Sequence, residues 1–386
     1  MQQSFISKVL EEVWQEGQNL ENTTFVLPSR RACTFLKNSI AQKTKRNIFA
    51  PQIYSIEQFI ELLANMSYAS LTEQLFVLYK AYLQLGNDNK EGFYDFSRWA
   101  RTLLSDFDEI DRYLIPHKKI FSYLSAITEV NHWYVQKERT PVMEDYIKFW
   151  NSLEPLYRSF SDLLIEQGKG HQGLVYRTAL QRLPEYLETT KGRKHIFLGF
   201  NALNKAESEI IQCILETGAS EIYWDLDQYF LDESYHDAGY FIRRHKKRWK
   251  YFEKHRLNGI GEDFLSPKNI QIIGVPKNVS QVKYIGALLG RLSDDNLNQL
   301  SDTALVLGDE SLLNPLLNAL PPQLDRANIT MGYPLKGTPL AGLFNQFFDL
   351  YLHQDPRGWH HKKLMSFLSL PYFQLLISEQ EKEGYS

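Results

Sequence analysis

Cations stand at three places in this chain where a phosphate backbone would meet them. In "FVLPSRRA" (25–32) an apolar run, Phe25-Val26-Leu27, stops at Pro28 and gives way to Ser29, Arg30 and Arg31. In "RRHKKRWKYFEKHR" (243–256) eight Lys or Arg residues face one Glu, with Trp249, Tyr251 and Phe252 interleaved. In "NITMGYPLKGTPL" (328–340) Lys336 and Thr338 lie in a stretch that Gly332, Pro334, Gly337 and Pro339 keep irregular. Basic side chains neutralise phosphates, and binding built on them weakens steeply with salt. Aromatic rings among them stack exposed bases, worth about 1–3 kcal/mol each. The candidate contacts are therefore Ser29, Arg30, Arg31, Arg243, Arg244, Lys246, Lys247, Arg248, Trp249, Lys336 and Thr338. Each stretch also has a plainer reading. Arg30 and Arg31 pair with local acids, 243–256 is an amphipathic helix with its aromatics in the core, and 328–340 is a structural turn.

Catalytic chemistry is harder to find. A phosphate-cradling loop needs G-x-x-x-x-G-K-[ST] between a strand and a helix. Gly168-Lys169 is followed by Gly170 in a polar loop, and no G-x-G-x-x-G occurs. A carboxylate pair closing a strand would hold Mg²⁺; "HIFLGF" (195–200) closes on Asn201 instead. Asp225 and Asp227 read as strand-end turn formers before they read as a metal pair. An acid two residues ahead of a lysine, as a metal-dependent nuclease requires, occurs only at Asp88-Asn89-Lys90, in a polar link. The ten histidines form no metal-ligand spacing, and no G-x-S-x-G elbow is present. Neither a catalytic residue nor a cofactor is expected within these 386 residues.

A formal charge of −3 excludes a generally basic nucleic-acid binder, so any polyanion site depends on local clustering. Cys33 and Cys213 sit in apolar helical patterns, as buried thiols of a reducing compartment would. The amphipathic start "MQQSFISKVLEEVW" lacks the regions of a signal peptide, and no apolar run nears the ~20 residues of a membrane span. The expectation is a soluble, cytoplasmic protein with no membrane partner.

The elements that must position these residues alternate. "TTFVLP" (23–28), "KHIFLGF" (194–200), "EIYWDLD" (221–227), "NIQIIGVP" (269–276) and "DTALVLG" (302–308) read as strands. Helical patterns follow them at 31–42, 204–218 and 279–292, and Ser55 with Gln58 fits a capping box opening another helix. Such alternation predicts a parallel sheet with helices on both faces. From about 65 to 190 the pattern is helical throughout. It includes a stripe at Phe96, Trp99, Ala100, Leu103, Leu104, Phe107 and Ile110, and two pieces around Pro155. The closing "EQEKEGYS" has no helix stop and reads as a truncation.

Taken together, the segments resemble the N-terminal half of AddB-type subunits of bacterial helicase–nucleases, in the PD-(D/E)XK nuclease family. "TTFVLPSRRACTFLK" resembles the family's strand-then-arginine motif, which contacts single-stranded DNA. "PQIYSIEQFIELL" resembles the segment and helix that follow it. "HIFLGFNALNKAESEII" resembles the Gly-Phe stretch found where active helicases carry Mg²⁺-binding acids. "EIYWDLDQYF", "HDAGYFIRRH", "TALVLGDESLL", "NITMGYPLKGTPL" and "LMSFLSLPYF" extend the likeness over about 23–375.

This resemblance implies a RecA-like (P-loop-helicase-like) α/β fold without its P-loop. The parts expected are 1–64 and 191–294 as the RecA-like domain, 65–190 as a helical insertion, and 295–386 as the start of a second helicase-like domain. It implies DNA engagement in double-strand-break repair and recombination without ATP hydrolysis, through Ser29, Arg30 and Arg31, with Lys336 and Thr338 as further contacts. It also implies DNA, single-stranded or a duplex end, and a motor subunit of AddA type as partners. The nuclease site and its Mg would lie C-terminal to residue 386. The alternative is a protein-interaction scaffold that docks a helicase motor and barely touches DNA.

Overall fold

The computed structural model describes residues 3–375 except 15–19, 45–46, 86–90, 134–140, 296–299, 301–302, 325, 355 and 357; side chains are described outside 128–145 and 293–299 as well. Asp88-Asn89-Lys90 and the closing "EQEKEGYS" lie outside the described residues. The chain divides into two units, Met1–Lys268 and Asn269–Ser386. The boundary comes earlier than the sequence division after 294, so the helix over 278–295 goes with the second unit.

Ser4 caps α1 (Phe5–Val13), and β1 (Thr23–Leu27) follows, buried along its whole length. Next come α2 (Arg30–Lys43), β2 (Gln52–Ser55) and α3 (Ile56–Ala64). The capping box read from the sequence is present: Gln58 N donates to Ser55 Oγ at 3.3 Å and Ser55 N to Gln58 Oε1 at 3.2 Å. After β3 (Ser67–Tyr68) the chain runs through α4 (Leu71–Gln84), α5 (Phe93–Arg112), α6 (His117–Trp133) and α7 (Pro141–Glu166) to β4 (Lys169–Gly170). It then re-enters the α/β layer through α8 (Gln172–Thr189), β5 (Lys194–Leu198), α9 (Lys205–Leu215), β6 (Glu221–Asp227), α10 (Gln228–Asp232), α11 (Tyr240–Arg248) and β7 (Asn258–Gly261).

The main sheet has the order β2-β1-β5-β6-β7, and every pair is parallel. Alternate residues of each strand point to opposite faces. Val26, Phe197, Ile222 and Trp224 pack with residues of α3, α8, α9 and α11. Phe25, Leu27, Ile196, Leu198 and Tyr223 pack with residues of α1 and α2 on the other side. Burial on both faces is why these strands read as continuous apolar runs rather than as alternation. Strand β7, "NGIG", has no such signal. Gly259 holds φ +77°, and a Cβ there would stand 2.8 Å from Trp224 O, so close approach to β6 requires glycine.

The helices between β3 and β4 have a core of their own around Leu78, Phe96, Leu104, Phe107, Leu156 and Phe160. Helix α7 runs unbroken through Pro155, where two pieces were expected. Pro155 lies on the exposed face, so the Asn151 carbonyl that loses its partner faces water. This bundle is joined to the α/β layer by polar bonds. Asp111, fully buried, accepts from Tyr157 Oη and Arg177 Nε, each at 2.6 Å, linking α5, α7 and α8.

The second unit contains α12 (Asn278–Asp295), α13 (Leu313–Leu317), α14 (Pro339–Leu352) and α15 (His361–Leu368). The two strands expected in this unit do not form among the described residues. Residues 269–275 and 303–307 pair with no neighbouring strand, and a β-strand exists only as one side of a pair.

Candidate nucleic-acid interface

Because the sheet is wholly parallel, the carboxyl ends of its strands share one rim. Connections run from β1 outward to β2 on one side and resume at β5 on the other, so the order reverses between β1 and β5. Open α/β sheets bind ligands in the crevice at such a reversal. Ser29 stands there in an extended conformation (φ −148°, ψ 155°) and caps α2, its Oγ accepting from Ala32 N at 3.2 Å. Arg30 and Arg31 are the first two residues of that helix, and both are exposed. Among the described residues neither forms an ion pair, so the plainer reading of local acids does not hold. The Arg31 guanidinium lies 5.9 Å from the centre of the Phe35 ring, itself 54% exposed. Phe35 escaped the sequence reading; its signal was an aromatic one helical turn beyond Arg31.

The helices that open at this rim differ in charge, and α10, which follows β6, is capped by the carboxylate of Asp227. Helix α3 carries Glu57 in its first turn, and α9 carries Glu207. Glu207 accepts from Asn204 N and from Tyr176 Oη, both at 3.0 Å, and burial raises its pKa above the ordinary carboxyl range. Helix α2 has no acid in its first turn. Its free N–H groups, the positive end of its dipole and two guanidinium groups therefore add with one sign.

The basic run at 243–256 gives one arginine and its aromatics to the fold. Arg243 does not face solvent as expected. Its guanidinium donates to the carbonyls of Phe230, Glu233, Ser234 and His236, closing the loop between α10 and α11. Trp249 does not offer a base-stacking face. It is 3% exposed, packs against Trp224 and Phe252, and donates through Nε1 to Ser208 Oγ at 3.1 Å. Tyr251 is buried as well. His245 stacks on Trp224, and burial lowers its pKa. What remains on the surface is Arg244, Lys246, Lys247, Arg248, Lys250, Lys254 and Arg256. Helix α11 packs on the face shared with α9, and α2 on the opposite face, so the structure does not merge the two basic features.

Lys336 and Thr338 belong to the second unit. Lys336 is exposed in a single turn, Leu335–Gly337. Thr338 caps α14: Oγ1 accepts from Ala341 N at 3.3 Å and donates to Leu335 O at 2.7 Å. Asp227, weighed as half of a metal pair, is a turn former, accepting from Tyr229 N at 3.0 Å and Phe264 N at 2.8 Å. Among the described residues no group of three His, Cys, Asp or Glu side chains is arranged to hold a metal ion. Both cysteines are free, and burial pushes each thiol upward. No described helix is long and apolar enough to cross a membrane.

The fold is thus of the α/β class, a five-stranded parallel sheet with helices on both faces, compatible with a Rossmann or RecA-like arrangement. No family model matches this chain, and no curated protein matches it.

Proposed function

We propose that this chain is the helicase-shaped, DNA-engaging part of an AddB-type helicase–nuclease, holding the nucleic-acid backbone at the carboxyl rim of its sheet without hydrolysing ATP. The observation that carries the reading is the first turn of α2. It bears two exposed guanidinium groups, no acid, and no ion pair among the described residues, at the point where the strand order reverses. Arg244, Lys246, Lys247 and Arg248 supply a second, weaker basic surface on the other face. Contacts to phosphate carry no base sequence, so binding is tolerant of sequence. In this reading the protein works in the cytoplasm beside a motor subunit of AddA type. DNA cleavage, with its Mg, belongs to a nuclease domain C-terminal to residue 386.

Fluorescence anisotropy with a labelled single-stranded oligonucleotide tests this. Affinity should fall steeply between about 50 and 200 mM salt. Replacing Arg30 and Arg31 together by Ala should weaken binding at least about tenfold and lower the log–log salt slope by about 1.4, two phosphates at roughly 0.7 each. ATP should change neither melting temperature nor binding. Binding unaffected by the double substitution would remove α2 from the interface, and no binding at low salt would return the chain to the scaffold alternative.

A further inference from the structure

The two basic surfaces of the first unit lie on opposite faces of the sheet, yet they share its carboxyl rim. His245 in α11 donates through Nε2 to Asn201 O at 3.3 Å, and Asn201 lies in the loop between β5 and α9. Trp249, which follows α11, donates to Ser208 Oγ near the start of α9. Helix α11 is therefore anchored beside the loop that leaves β5, the strand next to β1 and its helix α2.

Charge is ordered along that rim. At the β2 end stands Glu57, exposed in the first turn of α3. Arg30 and Arg31 come next, after β1. Residues 199–204 after β5 (GFNALN) carry no charge, and Glu207 beyond them turns inward to accept from Tyr176 Oη at 3.0 Å. At the β6–β7 end the rim is acidic again, where Asp227, Asp232, Glu233 and Glu262 line one cavity. A polyanion on this rim is repelled at both ends and meets only cations and neutral groups between them.

The cations of α11 divide between two sides of the helix. Arg244 and Arg248, one turn apart, flank His245; burial lowers the His245 pKa, and their charges push it the same way. Both arginines are exposed, and neither forms an ion pair among the described residues. Lys246 and Lys247 stand three and four residues beyond Arg243 and share its side, which faces the loop between α10 and α11.

We infer that one single strand of nucleic acid, held by Arg30 and Arg31, continues over the loop at 199–204 and is gripped again by Arg244 and Arg248. This rests on the function proposed above and adds the course of the strand and its second anchor. A single strand can turn over the rim from one face of the sheet to the other. A duplex, with a persistence length of about 150 base pairs, resists that bend.

Fluorescence anisotropy of the full chain with labelled oligothymidylates of two lengths, about 6 and about 16 nucleotides, tests this. The long one should bind at least about tenfold tighter. Arg244→Ala with Arg248→Ala should remove most of that gain, lower the log–log salt slope of the long one by about 1.4, and leave the short one unchanged. Lys246→Ala with Lys247→Ala should change either affinity by less than about twofold. A short oligonucleotide that binds without regard to Arg30 and Arg31, or does not bind at all, would sink the underlying reading and this inference with it. A short one that depends on that pair, with a long one that binds no tighter or ignores Arg244 and Arg248, would overturn the inference alone. An equal loss from the two lysine substitutions would overturn it as well.

Discussion

Arg243 and Arg30 each sit in the first turn of a helix in the same unit, yet their side chains do opposite work. Arg243 donates to four carbonyls of the loop that precedes α11. Arg30 makes no side-chain bond among the described residues and stands exposed at the carboxyl rim. The richer cluster, eight basic residues in fourteen, contributes its best-placed arginine and its tryptophan to the fold. The poorer cluster, two arginines after a proline, stays open. Density of charge along a sequence therefore does not say which arginine stays open; the carbonyls within its reach decide that.

The contrast breaks first, and hardest, at Trp249. Truncation to Ala empties a buried site against Trp224 and Phe252 and should cost about 3–5 kcal/mol, read from urea unfolding midpoints. Arg243→Ala should follow, at about 2–3 kcal/mol, because carbonyls of Phe230 and His236 lose a charged donor. DNA affinity at a concentration where the fold persists should stay close to that of the parent chain. Acid gives the next largest effect. His195 is buried between Tyr186 Oη and Ser220 Oγ, and burial, reinforced by Arg193, lowers its pKa to about 4. The ordinary value is near 6.5, so the unfolded chain takes the proton first, and stability is full above that pH and lost as the pH falls towards 4. Between pH 7 and 5 the loss should be about 2 kcal/mol, and His195→Gln should flatten that slope. Smallest of all is the stability change on replacing Arg30 and Arg31 by Ala, within about 0.5 kcal/mol by the same unfolding measurement. A larger loss would show that these arginines serve the fold after all.

Much of the α/β layer was legible because it is buried on both sides. Strands β1, β5 and β6 announce themselves as unbroken apolar runs, and Ser55 with Gln58 marks a helix start through purely local bonds. What was not legible depends on distant partners. The "NGIG" of β7 is a strand only because β6 lies beside it. Pro155 was read as a break because sequence does not say which side of a helix faces water. The role of Arg243 was hidden because its acceptors come from the turn at 230–236, and that of Trp249 because Trp224 and Ser208 are remote in sequence. At 269–275 the composition reads as a strand and none forms, because a ladder needs a second strand, which composition cannot supply. Ser29, Arg30 and Arg31 were legible for the opposite reason: a proline-stopped strand followed by a capping serine fixes where the next two side chains emerge.

The short clasp between β3 and β4 has a consequence for which changes of length the molecule can absorb. Ser67 N bonds to Gly168 O at 3.0 Å and Ala69 N to Gly170 O at 2.9 Å, so the chain leaves the scaffold and returns to it at adjacent points. The bundle held in that grip is a cassette. Loops at the far end of the bundle can change length without rerouting a single strand, whereas α5 and α7 stay tied to α8 through Asp111.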